Sequence, residues 1–420
     1  MDKIIIEGEN RLEGRVKIGG AKNAVLPILA ACLMGEGGST IYNVPQLRDV
    51  KTMETVLTSL GARVESGSGW VKVDPSSVNT FHALYEIVRT MRASYYVLCP
   101  LLLRFGKARV SLPGGCVIGP RPLDLHLKGL RALGVEIDII HGYIEAQIRK
   151  LRGNRIYLRG PQGSSVGATI NVMMAAVKAE GKTIIEHAAC EPEVEDTARF
   201  LCGMGAKISG AGTPLITIDG VKELRGTEYR VIPDRIEAGT YATAAAITGG
   251  DIWIEDCYPG HMQALLEKLR ESRVEIEEKR NTLHVKVNGK LTPVDVTTAP
   301  YPGFPTDLQA PMMALMSVTE GISIITEKIY ESRFLHVAEL LRMGANIQLR
   351  GNSAIVKGVP YLSGAPVMAS DLRASVGLVL AGLVARGETV ISRVYHLDRG
   401  YERIEEKLSA LGARIQRVKK

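Results

Sequence analysis

The stretch SLPGGCVIGPRPLD, residues 111–124, sets a thiol where packing offers it no place. Cys116 stands among Gly114, Gly115, Gly119, Pro120 and Pro122, and no regular helix or strand runs through such a run. A structural cysteine is ordinarily a small buried hydrophobe. A thiol on a Gly/Pro loop, with Arg121 five residues on, instead suits a nucleophile or a proton donor. A nearby guanidinium would lower its pKa from about 8.5. The other five cysteines, Cys32, Cys99, Cys190, Cys202 and Cys257, sit in apolar helical patterns or beside strands and read as packing.

Three further groups carry possible chemistry. In GGAKNAVLP (19–27), Gly19 and Gly20 lead into a helix through Lys22 and Asn23, so backbone amides and an ammonium meet where an anion such as phosphate would bind. In YPGFPTDLQAP (301–311), Asp307 opens a helix; locally that reads as an N-cap or first-turn charge, and in a cleft as a general base for a hydroxyl. Four arginines follow: Arg92 in TMRAS, Arg333 in ESRFLH, Arg373 in SDLRAS and Arg399 in HLDRGYE. Arg92 and Arg373 precede the same Ala-Ser pair, and an arginine at a helix start opposes the helix dipole, so a purely local role is weak.

These residues must be positioned by a repeating frame. Helix-like segments turn into strands at SLGARVE (59–65), ALGVEID (132–138), GMGAKIS (203–209), ESRVEIE (271–277), RMGANIQ (342–348) and ALGARIQ (410–416). Counted at the glycine, which is Arg273 in the fourth copy, the intervals are 73, 71, 68, 71 and 68 residues. Six units of about 70 residues therefore fill the chain. Each opens with a helix rich in Ala and Gly, apolar all round and so expected to be buried, followed by strand, helix, strand, strand. GRVKIGGAKNAVLP (14–27) and EYRVIPDRIEAGTY (228–241) occupy matching points of their units, which predicts three units plus three with the chain crossing between lobes twice. The expected division is 22–232 against 1–21 with 233–420, with ligands in the interdomain cleft.

Composition narrows the classes. At 420 residues and 45% hydrophobic, the chain can bury large cores. Apolar runs such as AVLPILAACLM (24–34) are too short to span a bilayer and no leader precedes them, so no membrane role and a cytoplasmic location are expected. Dispersed cysteines without CxxC pairs argue against a disulfide scaffold or a zinc site. A net charge of +7 suits anionic ligands, yet the cations are scattered and only five Phe and two Trp are present, so nucleic acid is not the expected partner. AEGKT (179–183) ends like a phosphate-binding loop, but Ala176 stands where its first glycine belongs; GxGxxG and HExxH are absent. No metal and no cofactor are expected.

GGAKNAVLPILA, TMRAS, SLPGGCVIGPRPLDLHLKGL, SVGAT, YPGFPTDLQA and DRGYERIEEKL together closely resemble the UDP-N-acetylglucosamine 1-carboxyvinyltransferase family of bacterial enolpyruvyl transferases, along the whole chain. The resemblance implies an α/β fold, the two-domain inside-out α/β barrel of six βαβαββ units, three per domain. It implies transfer of enolpyruvate from phosphoenolpyruvate to the 3-hydroxyl of UDP-N-acetylglucosamine through a tetrahedral phosphoketal, releasing phosphate and beginning peptidoglycan synthesis. Cys116 would protonate the methylene carbon or form an adduct there, and would be alkylated by the epoxide fosfomycin. Lys22, Asn23, Arg121 and Arg399 would hold phosphoenolpyruvate, with Arg333 and Arg373 closing over the anion. Asn23, Arg92, Arg121, Pro122, Leu123, Asp124, Leu125, Gly163, Ser164, Ser165, Val166, Asp307 and Ile329 would contact the sugar nucleotide, Asp307 as base or orienter. Loop 112–122 would then act as a lid, which accounts for its glycines and prolines.

Two positions depart from the family pattern. Gly163 stands where a lysine is usual, and Arg48 where a lysine is frequent, which keeps the charge but changes its geometry. The alternatives are 5-enolpyruvylshikimate-3-phosphate synthase, which lacks the PGGC loop, and a non-catalytic UDP-sugar-binding paralogue, which the presence of Cys116, Lys22 and Arg399 disfavours. A monomer is the expected state.

Overall fold

The structure, a computed structural model, describes residues 2–88, 91–112 and 123–419. Six four-stranded sheets and a two-stranded hairpin make up its β-structure. Every four-stranded sheet has one plan, clearest in the fifth unit. Val296–Thr297 lies parallel to Ile322–Thr326, which pairs antiparallel with Ser353–Lys357, which pairs antiparallel with Asn346–Arg350. Helix Gln309–Ser317 follows the first strand and helix Leu335–Arg342 the second, giving βαβαββ. Among the described residues, no strand pairing joins one four-stranded sheet to another.

Three of the units complete their sheets with distant strands. Glu13–Lys17 precedes the first helix in sequence but pairs with Asp251–Glu255 of the fourth unit, Arg15 opposite Trp253. Glu228–Arg230 precedes the fourth unit's helix but pairs with Ser39–Val44 of the first, Tyr229 opposite Ile41. The sixth unit has no fourth strand of its own. Lys3–Glu7 supplies it, lying between Glu388–Ser392 and Arg414–Val418 with Ile5 opposite both Val390 and Gln416. Two compact units result, one holding the chain up to Gly19 and from Pro233, the other the described residues from Gly20 to Ile232.

Each unit is centred on helices rather than on sheets. In the unit from Pro233, helices Arg235–Ile247, Gln309–Ser317 and Leu372–Val384 touch one another, and nearly all their residues are buried. In the other, the turn Arg92–Val97 packs on helix Lys22–Ala31 and leads into Leu98–Phe105, which touches Val166–Ala176. Small side chains permit the approach: a Cβ on Gly377 would lie 3.1 Å from the Ala310 side chain. Amphipathic helices such as Arg48–Ser59 and Gln263–Glu271 and the sheets cover this centre, with Ile252 and Ile254 showing the in–out alternation of a strand buried on one face.

The repeated helix-to-strand turn explains the glycine that marks each unit. Gly61, Gly134, Gly205, Gly344 and Gly412 have φ of +97°, +95°, +108°, +87° and +99°. Arg273 adopts +68° at the same point and is exposed. A side chain there carries a left-handed penalty that glycine avoids. Arg273→Gly should therefore raise the unfolding free energy by about 1 kcal/mol, read as a higher urea midpoint at unchanged slope.

Candidate functional site

In the unit from Gly20 to Ile232, Lys22 opens the helix Lys22–Ala31 behind the extended residue Ala21. Gly20 is required by close approach, since a Cβ there would sit 1.6 Å from the Asn43 carbonyl oxygen. The Lys22 ammonium lies 3.3 Å from Asp49 Oδ2, with the two side chains only 10% and 5% exposed. Asp49 comes from the first turn of Arg48–Ser59, where the helix N-terminus favours its charge. Asn23 is half-buried beside it.

Arg92, half-buried, begins the 3-10 turn Arg92–Val97, and its charge acts on a buried imidazole. His126, on Asp124–Ala132, is pushed down to about 3 by burial, with the Arg92 charge adding to the effect. Its neutral Nδ1 accepts from Asn171 Nδ2 at 3.1 Å, and Tyr95 meets it edge-on. Of the residues expected around it, Leu123 is half-buried, Asp124 exposed and Leu125 buried. Cys116, Arg121 and Pro122, with most of the expected lid, lie outside the described residues.

Gly163 and Ser164 form a two-residue hairpin with Arg159 and Gly160. Gly163 has φ +100°, a conformation in which a lysine would be strained. Arg159, opposite Ser164, brings an exposed cation to the same hairpin. Ser165 caps helix Val166–Ala176, its Oγ accepting from the Ala168 amide at 3.3 Å. Its hydroxyl proton can still be donated.

In the other unit three expected residues converge. Asp307, in the turn Thr306–Leu308, meets Arg333 Nη1 through Oδ1 at 2.9 Å and Arg373 Nη2 through Oδ2 at 3.3 Å. The Arg333 and Arg373 side chains are 7% and 4% exposed, against 25% for Asp307. An arginine in the first turn of Leu372–Val384 is tolerated because Asp371 caps that helix, accepting from the Arg373 and Ala374 amides. Burial opposes the Arg373 charge, but Asp307, Tyr401 and Asp234 outweigh it, and the group is pushed up.

Arg373 Nη1 also donates to Tyr401 Oη at 3.1 Å, which lies 2.8 Å from Thr240 Oγ1. Arg399 is half-buried and ends the turn Val394–Arg399, which packs on the helix carrying Arg373. Its neighbour Asp398 is gripped by Arg417 through two bonds of 2.7 Å. Ile329 is half-buried, and its amide donates to Glu327.

The structure thus joins Asp307, Arg333 and Arg373 directly, while Lys22 and Arg92 meet partners that sequence patterns did not single out. Asp49, His126, Tyr401, Thr306 and Glu327 are such residues. Only Asp49 had a local cue, an acid in the first turn of an amphipathic helix. Among the described residues, no cluster of His, Cys, Asp and Glu is arranged to hold a metal ion, and no helix is long and apolar enough to cross a membrane.

Helix-centred triplets of βαβαββ units define the enolpyruvyl transferase fold. The enolpyruvyl transferase NikO from Streptomyces tendae superposes with a TM-score of 0.89 at 25% identity, over 99% of each chain. EPSP synthase from Acinetobacter baumannii gives 0.76 at 18% identity over the full length of both. The sequence pattern of the EPSP synthase (3-phosphoshikimate 1-carboxyvinyltransferase) family matches residues 6–408, and the chain belongs to that family. Proteins named UDP-N-acetylglucosamine 1-carboxyvinyltransferase are 57% identical in Desulfosudis oleivorans and 54% in Desulfatibacillum aliphaticivorans, each match covering all of both chains.

Each compact unit buries an imidazole, His126 in one and His336 in the other, which fixes an acid response. His336 is pushed down to about 4 by burial; Asp371 works against the shift and Arg333 with it. Once unfolded, each ring takes up a proton below about pH 6.5, so the unfolded chain binds more protons and stability falls as pH drops. Asp196 runs the other way. Burial raises it to about 6 despite its bond to Tyr229, so its contribution falls as pH rises toward that value. His126→Gln should flatten the acid loss by up to about 1.4 kcal/mol per pH unit between about pH 6 and 5. Urea midpoints across that range check this, and curves parallel to wild type would refute it.

Proposed function

We propose that this transferase moves the enolpyruvyl group of phosphoenolpyruvate to the 3-hydroxyl of UDP-N-acetylglucosamine and releases phosphate. One observation carries the choice of acceptor. Full-length relatives at 54–57% identity bear that activity in their name, whereas the EPSP synthase superposition, at 18%, speaks for fold alone. The PGGC loop around Cys116 favours the same acceptor. On this reading the chain acts in the cytoplasm as a monomer, and its product enters peptidoglycan synthesis.

The chemistry needs an acid at one carbon and a base at one oxygen. Cys116 gives its proton to the methylene carbon of phosphoenolpyruvate, and the electron-poor central carbon takes the sugar oxygen. Asp307 accepts the hydroxyl proton, and its two buried arginines favour the ionised state that this requires. In the phosphoketal so formed, the new methyl returns a proton to the Cys116 thiolate, the double bond reforms and the C–O bond to phosphate breaks; phosphate leaves as hydrogen phosphate, carrying the proton that Asp307 gives up. Lys22, Arg121 and Arg399 hold the phosphate and carboxylate of the donor, with Asn23, Arg333 and Arg373 beside them. Lys22 must then exchange Asp49 for the anion or share itself between them.

Arg92, Arg121 to Leu125, Gly163 to Val166 and Ile329 take the sugar nucleotide. Arg159 offers the cation that Gly163 cannot. The test is phosphate release from phosphoenolpyruvate with and without UDP-N-acetylglucosamine, in wild type, Cys116→Ser and Asp307→Ala. Sugar-dependent release that falls by about 100-fold or more in both variants is the expected result. Release with shikimate 3-phosphate instead would assign the sister activity, and silence with both acceptors would indicate a binding protein. Covalent labelling of Cys116 by fosfomycin, read by mass, checks the thiol independently.

A further inference from the structure

A carboxylate outside this scheme is buried beneath it. Glu327 has no exposed surface, and a buried charge is costly unless donors surround it. Its Oε1 accepts from Thr298 Oγ1 at 2.6 Å and from the Ile329 and Tyr330 amides at 2.8 and 3.0 Å. Its Oε2 accepts from Thr306 Oγ1 at 2.8 Å. The backbone is fastened as well, the Glu327 amide donating to the Asn352 carbonyl at 2.8 Å and Asn352 Nδ2 to the Glu327 carbonyl at 3.2 Å.

The bond to Thr306 leads to the proposed base. A hydroxyl has a single proton. With that proton committed to Glu327, the Thr306 oxygen turns its lone pairs to Arg333 Nη1, 2.9 Å away. The same Nη1 lies 2.9 Å from Asp307 Oδ1. Charge at Glu327 therefore sets the polarity of Thr306, Thr306 steers Arg333, and Arg333 orients Asp307.

We propose that Glu327 is a positioning residue for the transfer step, holding Asp307 through Thr306 and Arg333 while fixing the Ile329–Tyr330 backbone. This rests on the reading of Asp307 as the group that accepts the sugar hydroxyl proton. In Glu327→Gln the amide NH2 must avoid the three donors around Oε1 and so faces Thr306. The Thr306 oxygen then accepts from both sides and its hold on Arg333 weakens.

The test combines steady-state kinetics, the pH profile of kcat and thermal unfolding for wild type, Glu327→Gln, Thr306→Val, Thr306→Ser and the Glu327→Gln/Thr306→Val pair. Glu327→Gln and Thr306→Val should each lower kcat by about tenfold or more through misorientation, with KM for phosphoenolpyruvate within about twofold. The double variant should be no worse than the singles, because both break one relay. Thr306→Ser, which keeps the hydroxyl, should recover most of kcat. The acid limb of the profile should move to higher pH in both singles, since a loosened Arg333 favours the ionised Asp307 less. Wild-type kcat and acid limb in Glu327→Gln, or losses that multiply in the double variant, overturn the proposal. If Glu327→Gln fails to fold, Thr306→Val with an unshifted acid limb overturns it alone. Wild type without sugar-dependent release would instead refute the reading of function.

Discussion

A helix buried on every side can meet ligand or solvent only at its ends, and that constraint organises this molecule. The six central helices are rich in small and apolar residues, and their flanks are spent on packing. What remains chemically available is the first turn, where free amides and the helix dipole favour polar company. Lys22 and Arg373 lie in that turn, Ser165 and Asp234 cap it, and Arg92 and Asp307 stand in the 3-10 turns that lead into their helices. One architectural rule, applied six times, thus gathers polar groups at equivalent places.

That placement has an energetic consequence. Cations at helix starts are opposed by the dipole, so each must be compensated locally. Asp371 and Asp234 satisfy amides of their own helices by capping, and Asp307 neutralises Arg333 of its own repeat and Arg373 of the next. Asp49 does the same for Lys22. Pairs of this kind contribute little net stability, since desolvation offsets attraction, but removing one partner strands the other. They are better understood as pre-set orientation than as glue.

The periodic part of the design was readable from the chain, because each unit writes its own signal. The αL turn demands glycine at one register, and even the exception at Arg273 fell in register. Helices apolar all round announced burial, and the matched segments at 14–27 and 228–241 marked equivalent strands. Lys3–Glu7 could not be assigned to the sixth sheet from sequence, since its partners lie at the far end of the chain and any apolar strand carries the same pattern. Candidate residues were found by type at helix starts. Their partners, Asp49, Tyr401 and Glu327, were not, because a buried carboxylate or phenol is recognisable only once its surrounding donors are in place.

The geometry at Asp307 also bears on the order of events in the proposed reaction. Two guanidiniums favour an ionised carboxylate, and a carboxylate so stabilised orients a hydroxyl well but removes its proton weakly. A sugar hydroxyl therefore loses its proton only as the oxygen becomes more acidic, which happens as its bond to carbon forms. The electrophile must be generated first, by protonation of the methylene carbon, and the acid thus leads the base. On that ordering the two arginines act in one consistent way, keeping the acceptor charged and correctly turned until attack makes the proton easy to take.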